Sequence, residues 1–212
     1  RRRLLCYGDS LTAGFCAGGR VFEPYGQALA EALAAATGGA EFEVSVCGHS
    51  GHLAEQMVAN LDAERVQDVA LRQGKGLRRI LQDEQLPELV IIMAGTNDLG
   101  RRRCPRSIFR DVCRLHVECH ARGVRTLALA PPAAPFARQT QWEVERQQVK
   151  ELLAAWAASR PLVAGFVDPS DLLPPAVGSG AWDPDLLHFS PVGSRLLGRR
   201  LAPLVLPLLP CR

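Results

Sequence analysis

The sequence lacks any continuous apolar run long enough to cross a membrane, so we expect no membrane span. Its basic start, residues 1–5, has too short an apolar segment for a signal peptide, but the chain does not begin with Met and is compatible with a removed leader. It also lacks linkers, repeats and low-complexity tracts. With 47% hydrophobic and 22% charged residues, residues 1–212 are predicted to form a single globular domain.

No stripe of basic residues is present either, because the arginines are spread along the chain and the formal net charge is only +3. Charge therefore indicates no nucleic-acid partner, and a small molecule is the expected ligand. The seven cysteines, at positions 6, 16, 47, 104, 113, 119 and 211, form no CxxC pair. Their odd number and irregular spacing favour free thiols in a reducing compartment, which we take to be the cytoplasm. The oligomeric state is left undetermined.

Short apolar runs alternate with segments of helical periodicity. The runs occupy residues 4–7, 42–46, 89–94, 124–130 and 165–167, and the helices are predicted over 25–37, 108–122, 141–159 and from 191 to about 207. This alternation predicts an α/β fold, a three-layer αβα sandwich with a parallel, flavodoxin-like sheet of about five strands. Ligands bind such sheets at the carboxyl ends of the strands, so the residues that follow each strand are the candidates for function.

Polar loops follow the first three runs and read "GDSL" at 8–11, "GHSG" at 48–51 and "GTND" at 95–98. Late in the chain, "WDPDLLHFS" places Asp185 three residues before His188, a spacing that lets a carboxylate in a turn reach an imidazole. A serine, a base, a carboxylate to orient that base, and candidate donors to an oxyanion are therefore all present. Acyl transfer through a serine nucleophile needs this set of groups.

These four motifs, in this order, resemble those of the SGNH (GDSL-type) hydrolases, which include serine esterases, lipases, thioesterases and carbohydrate deacetylases. Within that family, the chain is most similar to short-chain arylesterase-like members. The resemblance implies that Ser10 is the nucleophile and that Asp185 and His188 complete a triad. It also implies an oxyanion hole formed by Ser10, Gly51 and Asn97.

The triad acid has a second candidate. The family commonly reads Asp-Gly-x-His in its last motif, whereas Leu186 and Leu187 fill the gap here, and Asp183 offers another carboxylate nearby. We therefore keep Asp183 as an alternative to Asp185.

The predicted function is a serine esterase that hydrolyses small or short-acyl carboxylic esters without a metal or cofactor. The same residues would also serve an acyltransferase, a thioesterase or a lysophospholipase, which the sequence does not separate. A non-catalytic flavodoxin-like binding module is a further alternative. It is less favoured because "GKGLRR" lacks the final glycine of a phosphate-binding loop and follows no predicted strand.

Other polar residues near these motifs have simpler interpretations. Asp9 and Asp98 are each expected to accept hydrogen bonds from backbone N–H groups of their own loops. Ser50 lies in a "GHSGH" run without triad partners of its own, so we reject it as the nucleophile. His49 and His52 are expected at the loop surface.

Three further groups of residues are candidates for a role in binding. The side chains of Cys113, His116 and His120 share one helix face that resembles a zinc site, but apolar neighbours favour a core helix. Residues 101–103, all arginine, are expected to form a solvated loop, with attraction of anionic substrates as the alternative. Four aromatic residues in or near the loops are expected to line one wall of the site: Phe15, Phe22, Tyr25 and Phe136.

Overall fold

A five-stranded parallel sheet forms the centre of the computed structural model, which describes residues 1–83 and 85–210. The strands are β1 (Arg2–Gly8), β2 (Phe42–Gly48), β3 (Leu89–Met93), β4 (Arg125–Leu129) and β5 (Val163–Val167). Their spatial order is β2-β1-β3-β4-β5, which is the flavodoxin-like order. Each of the five apolar runs is a strand, so the predicted fold class is confirmed.

Helices connect the strands and cover both faces of the sheet. They are α1 (Ser10–Ala13), α2 (Tyr25–Ala36), α3 (Ala54–Ala59), α4 (Leu77–Asp83), α5 (Thr96–Gly100), α6 (Pro105–His120), α7 (Gln141–Ala158), α8 (Pro169–Leu172) and α9 (Pro191–Val205). The four long helices, α2, α6, α7 and α9, confirm the predicted ones to within a few residues. The short helices were not predicted, because two turns or fewer carry too little apolar periodicity to be recognised.

Alternate side chains of each strand enter two separate apolar cores. In β1, Leu5 and Tyr7 face a core shared with α3, α4, α6 and α7, whereas Leu4 and Cys6 face a core shared with α2 and α9. A strand buried on both faces needs apolar residues at every position, which explains the unbroken apolar run in β3.

Two short antiparallel hairpins lie outside the central sheet. Phe15–Cys16 pairs with Val21–Phe22, and Val66–Gln67 pairs with Gln73–Gly74. Single turns of 3₁₀ helix occur at Ala17–Gly19, Pro135–Ala137 and Leu206–Leu208. Both hairpins follow loops at the carboxyl edge of the sheet, so they are positioned to flank a site there.

The cysteines that the structure describes are all free thiols, at positions 6, 16, 47, 104, 113 and 119. Cys211 lies outside the described residues. Within residues 1–83 and 85–210, no helix is both long and apolar enough to span a membrane.

Candidate active site

The three predicted loops leave neighbouring strands at the carboxyl edge of the sheet. Gly8 at the end of β1 pairs with Gly48 of β2 on one side and with Met93 of β3 on the other. A Cβ atom at Gly8 would lie 2.0 Å from the Met93 carbonyl oxygen, so only glycine allows this close approach. The His49 N–H donates to the Gly8 carbonyl at 2.9 Å and joins the first two loops. The motifs at 8–11, 48–51 and 95–98 are therefore brought together by adjacent strands.

Ser10 begins helix α1 immediately after β1. The Asp9 carboxylate caps this helix by accepting the Leu11 N–H at 3.0 Å, and Gly14 ends it in a left-handed conformation with φ of 75°. The strand, the cap and the early stop together confine Ser10 to a single short turn. Its side chain is thereby held at the sheet edge.

His188 approaches Ser10 from a turn near the end of the chain. His188 Nε2 lies 2.9 Å from Ser10 Oγ, and His188 Nδ1 lies 2.7 Å from Asp185 Oδ2. Asp185 Oδ1 also accepts the N–H groups of Leu187 and His188, each at 2.9 Å. Partial burial acts to raise the pKa of Asp185, but these hydrogen bonds outweigh it and leave the pKa below its usual value. Because an ionised carboxylate only accepts, Nδ1 carries the imidazole proton and Nε2 is free to accept from the serine.

Asp183, the alternative acid, is directed elsewhere. Its Oδ2 accepts the Ala17 N–H at 2.8 Å, which ties the late turn to the first hairpin. Its own N–H donates to the His188 carbonyl at 2.8 Å. Among the described residues, Asp185 is thus the carboxylate in contact with the His188 ring.

Each of the three loops provides one hydrogen-bond donor near the Ser10 hydroxyl. Asn97 Nδ2 donates to the His52 carbonyl at 3.0 Å, which orients the carboxamide and leaves its second N–H available. Gly51 has φ of 77°, and a Cβ there would lie 2.7 Å from the Val69 side chain, so this backbone geometry favours glycine. Within the described part of the chain, the N–H groups of Ser10 and Gly51 donate to no protein acceptor.

Two buried carboxyl groups support these loops. Asp98 Oδ2 accepts the Ala54 N–H at 2.9 Å, so its backbone contact is with the first residue of α3 and not, as expected, with its own loop. Burial raises the pKa of Asp9 to about 7, with a contribution from the nearby Asp98, and burial also raises the pKa of Asp98. Asp98 is paired with Arg103 at 2.5 Å. Arg103 is therefore not part of a solvated loop, contrary to expectation for residues 101–103.

The expectation that His49 lies at the surface was wrong. His49 is 1% exposed, its ring packs against Tyr7, and its Nε2 donates to the Lys75 carbonyl at 3.2 Å. Burial, together with the neighbouring His52, lowers the pKa of His49 to about 4. The second hairpin covers this ring, and sequence periodicity did not reveal that hairpin.

A model of the GDSL-like lipase/acylhydrolase family matches residues 6–196, which includes all four motifs. The chain belongs to this family. It is accordingly a carboxylic ester hydrolase, and the predicted relationship to SGNH enzymes is confirmed. No curated protein sequence matches it significantly.

Solved structures of similar proteins share the fold of this acylhydrolase over nearly its whole length. A carbohydrate acetylesterase family member from Sinorhizobium meliloti is 22% identical, with a TM-score of 0.71 and coverage of 99% of both chains. A lipase/acylhydrolase from Enterococcus faecalis is 24% identical, with a TM-score of 0.72 and coverage of 100% of this chain and 99% of its own. A protein from Agrobacterium tumefaciens str. C58, assigned as an arylesterase, is 22% identical, with a TM-score of 0.69 and coverage of 99% and 100%. These likenesses support the fold.

Two phenylalanine rings, Phe15 and Phe22, form an aromatic wall beside His188 in this acylhydrolase. The rings of Phe15 and His188 lie 4.7 Å apart, and Phe15 meets Phe22 edge-on at 5.8 Å. Phe136 instead packs against Trp142. Tyr25 is fully buried in the core, so the prediction that it lines the site was wrong.

Sequence reasoning missed the second hairpin, whose tip spans residues 68–72. Asp68 Oδ2 accepts the Ser50 N–H at 3.1 Å, and Asp68 Oδ1 accepts the N–H groups of Ala70 and Arg72 at 2.9 Å. Val69 and Leu71 at the tip are 71% and 75% exposed. Asp68, a residue type that favours turns, is the sequence signal of this loop.

One face of α6 packs inward, as predicted for a core helix. This face carries Cys113, His116 and His120. The Thr126 hydroxyl lies 2.8 Å from His116 Nδ1 and 2.9 Å from His120 Nε2, and Trp156 stacks on His120. Among the side chains that the structure describes, no group of three or more His, Cys, Asp or Glu is arranged to hold a metal ion.

Proposed function

We propose that the protein is a serine esterase in which Ser10, His188 and Asp185 form the catalytic triad. The observation that carries the proposal is the continuous hydrogen-bonded chain from Ser10 Oγ through the imidazole to Asp185, at 2.9 Å and 2.7 Å. A serine hydroxyl is too weakly acidic to attack an ester unless a base removes its proton during the step. The tautomer fixed by Asp185 leaves Nε2 free to be that base.

In the proposed reaction, Ser10 Oγ attacks the ester carbonyl carbon as its proton passes to His188 Nε2. The C–O bond to the alcohol then breaks, and His188 returns the proton to the leaving alcohol oxygen. Water attacks the resulting acyl-serine with His188 again as the base, which releases the acid and restores the Ser10 hydroxyl. Asp185 stabilises the imidazolium formed in each half of the reaction.

We assign the oxyanion hole to the N–H groups of Ser10 and Gly51 and to the Asn97 carboxamide. Negative charge builds on the carbonyl oxygen in the transition state, and fixed donors stabilise it without reorganisation, each by about 3 kcal/mol in comparable sites. The support is that both N–H groups lack a protein acceptor in the described part of the chain. The His52 carbonyl holds the third donor in place.

The preferred substrates are proposed to be small or short-acyl esters. The cleft beside Gly51 has a volume of about 650 Å³ and is lined mostly by polar residues, including His52, Gln56 and Gln67. Val69 and Leu71, which also line it, are largely exposed. A long alkyl chain that extended from the oxyanion hole into this cleft would contact water and polar groups, so additional carbons would contribute little binding.

Covalent labelling tests the nucleophile directly. A fluorophosphonate probe should label the wild-type protein on Ser10, and Ser10→Ala should abolish both labelling and p-nitrophenyl acetate hydrolysis. Because Ser10 is the first residue of the short helix α1 and the change removes one oxygen, circular dichroism and thermal melting of the variant should match wild type.

Ser50→Ala is the matched control, since Ser50 lies in the adjacent loop and its Oγ has no hydrogen-bond partner within the described residues. This variant should still be labelled. Labelling that persists in Ser10→Ala, or that disappears only in Ser50→Ala, would overturn the proposal.

A further inference from the structure

Arg72 lies at the outer end of the aromatic wall. Its Cζ atom is 4.1 Å from the centroid of the Phe22 ring, a cation–π contact. Among the side chains that the structure describes, no carboxylate lies within ion-pair distance of its guanidinium. The residue is exposed, so its donors are available to a ligand.

The acidic side chains of the neighbouring segments are already engaged. Glu23, which follows Phe22, pairs with Arg195 at 3.0 Å. Asp68 accepts three backbone N–H groups, and Asp183 accepts the Ala17 N–H. These partners hold the three carboxylates, and none of the three forms an ion pair with the Arg72 guanidinium.

Arg72 ends the tip of the second hairpin, residues 68–72. Contacts of its backbone and of its side chain connect it to two different parts of the site. On one side, Asp68 holds the Ser50 N–H next to Gly51, and the Arg72 N–H donates to the same carboxylate. On the other side, the guanidinium stacks on Phe22, which contacts Phe15, and Phe15 contacts the His188 ring. The arginine thus belongs to the wall on the histidine side of Ser10.

The direction of proton transfer identifies which part of an ester meets this wall. His188 must protonate the leaving alcohol oxygen, so that oxygen lies at Nε2 and the rest of the alcohol extends along the histidine side. The carbonyl oxygen points instead toward Gly51 and Asn97. An aryl alcohol portion would pack on Phe15 and Phe22, and a substituent at its far end would approach Arg72.

We propose that Arg72 selects esters whose alcohol portion carries an anionic oxygen group, a carboxylate or a phosphate. A guanidinium presents paired N–H donors that match both groups, and stacking on Phe22 limits the rotamers lost on binding. This inference rests on the proposed triad, because it uses the side from which the alcohol leaves.

The test compares matched substrates that share one acyl group. They are 4-acetoxybenzoate and 4-acetoxyphenyl phosphate, which are anionic, and methyl 4-acetoxybenzoate, which is neutral. The readout is the ratio of kcat/KM for each anionic ester to kcat/KM for the neutral one. Dividing the ratio of a variant by that of wild type cancels the intrinsic reactivity of each ester.

Arg72→Gln should lower this ratio up to about fivefold at low ionic strength, the upper end of the range for one exposed ion pair. The effect should shrink in about 0.5 M salt because screening weakens exposed charges. Arg72→Lys should retain part of the ratio. Arg199→Gln, which removes the same charge from an exposed position of α9, controls for long-range electrostatics and should retain the wild-type ratio. A larger fall in the ratio for 4-acetoxybenzoate would indicate a preference for a carboxylate, and a larger fall for 4-acetoxyphenyl phosphate would indicate a preference for a phosphate.

Equal loss for anionic and neutral esters in Arg72→Gln would reduce Arg72 to a structural role and overturn the inference. A larger loss of the ratio in Arg101→Gln would also overturn it, because Arg101 lines the cleft beside Gly51. Fluorophosphonate labelling separates the two hypotheses. A protein labelled on Ser10 without an Arg72-dependent ratio refutes this inference alone, whereas an unlabelled, inactive wild type refutes the proposed triad and this inference together.

Discussion

Asp185 Oδ2 lies 2.7 Å from His188 Nδ1, whereas Asp183, two residues earlier, accepts the Ala17 N–H at 2.8 Å. The same turn holds both carboxylates, with Pro184 between them, and the two side chains reach different partners. One carboxylate therefore orients the imidazole, and the other anchors the turn to the first hairpin.

Asp185→Asn should lower kcat for p-nitrophenyl acetate at least a hundredfold, because an amide cannot hold the imidazole tautomer or stabilise the imidazolium. Asp183→Asn should lower it less than about tenfold, since the amide oxygen still accepts the Ala17 N–H. Steady-state kinetics on both variants make the comparison. A larger loss at Asp183 would assign the triad acid to that residue.

Asn97→Ala should lower kcat roughly a hundredfold or more with little change in KM, because its hydrogen bond to the substrate oxygen strengthens mainly in the transition state. Asn60→Ala, the same substitution at the end of α3, is the matched control and should keep wild-type kcat. A wild-type kcat in Asn97→Ala would remove this carboxamide from the oxyanion hole.

The profile of activity against acyl length should favour short esters. We expect kcat/KM on p-nitrophenyl esters to be highest for acyl chains of about two to four carbons and to fall for longer chains, because the open, polar-lined cleft adds no transition-state binding. A panel from acetate to palmitate measures this. A steady rise toward long chains would contradict the short-acyl proposal and favour a lipase or thioesterase.

The buried carboxyl of Asp9 should make stability fall as pH rises through the mildly acidic range. Its pKa is about 7 in the folded protein, against about 3.9 for an exposed aspartate, so between these values only the folded state retains the proton. The stability contributed by this proton is complete below about pH 4 and is lost as pH approaches 7.

Asp9→Asn removes this dependence and keeps an oxygen that accepts the Leu11 N–H. The free energy of unfolding of this variant relative to wild type should therefore rise by about 1.4 kcal/mol per pH unit across that window. Urea unfolding at several pH values between 4.5 and 7.5 measures it. A difference that is constant with pH would contradict the raised pKa.

Leu186 adopts a backbone conformation that glycine accepts more readily. A non-glycine residue in the left-handed region costs about 1–2 kcal/mol, part of which is offset by the greater freedom of glycine in the unfolded chain. Leu186→Gly should stabilise the protein by about 0.5–1 kcal/mol.

Leu187→Gly is the matched control in the same turn. Leu187 lacks a positive φ and packs against the core beneath α2 and α9, so its loss should destabilise the protein by about 2 kcal/mol. Thermal melting compares the two variants. Similar destabilisation in both would show that packing, rather than backbone conformation, dominates at position 186.

The sequence by itself determined the sheet, the long helices and the chemistry of the site. Strands such as β3 are buried on both faces and so must be continuously apolar, which makes them recognisable without a structure. The motifs at 8–11, 48–51 and 95–98 follow adjacent strands, so their meeting at one edge was also predictable. Local sequence is informative here because each feature depends on consecutive residues.

Only the tertiary structure decided which carboxylate meets His188, why His49 is buried and where Arg72 lies. Ser10 and His188 are 178 positions apart, and Asp183 is tied to a residue 166 positions away. The second hairpin has two residues in each strand, too few for a periodic signal, yet it covers His49 and carries Arg72 to Phe22. These contacts depend on packing between distant segments, so no local pattern of residues encodes them.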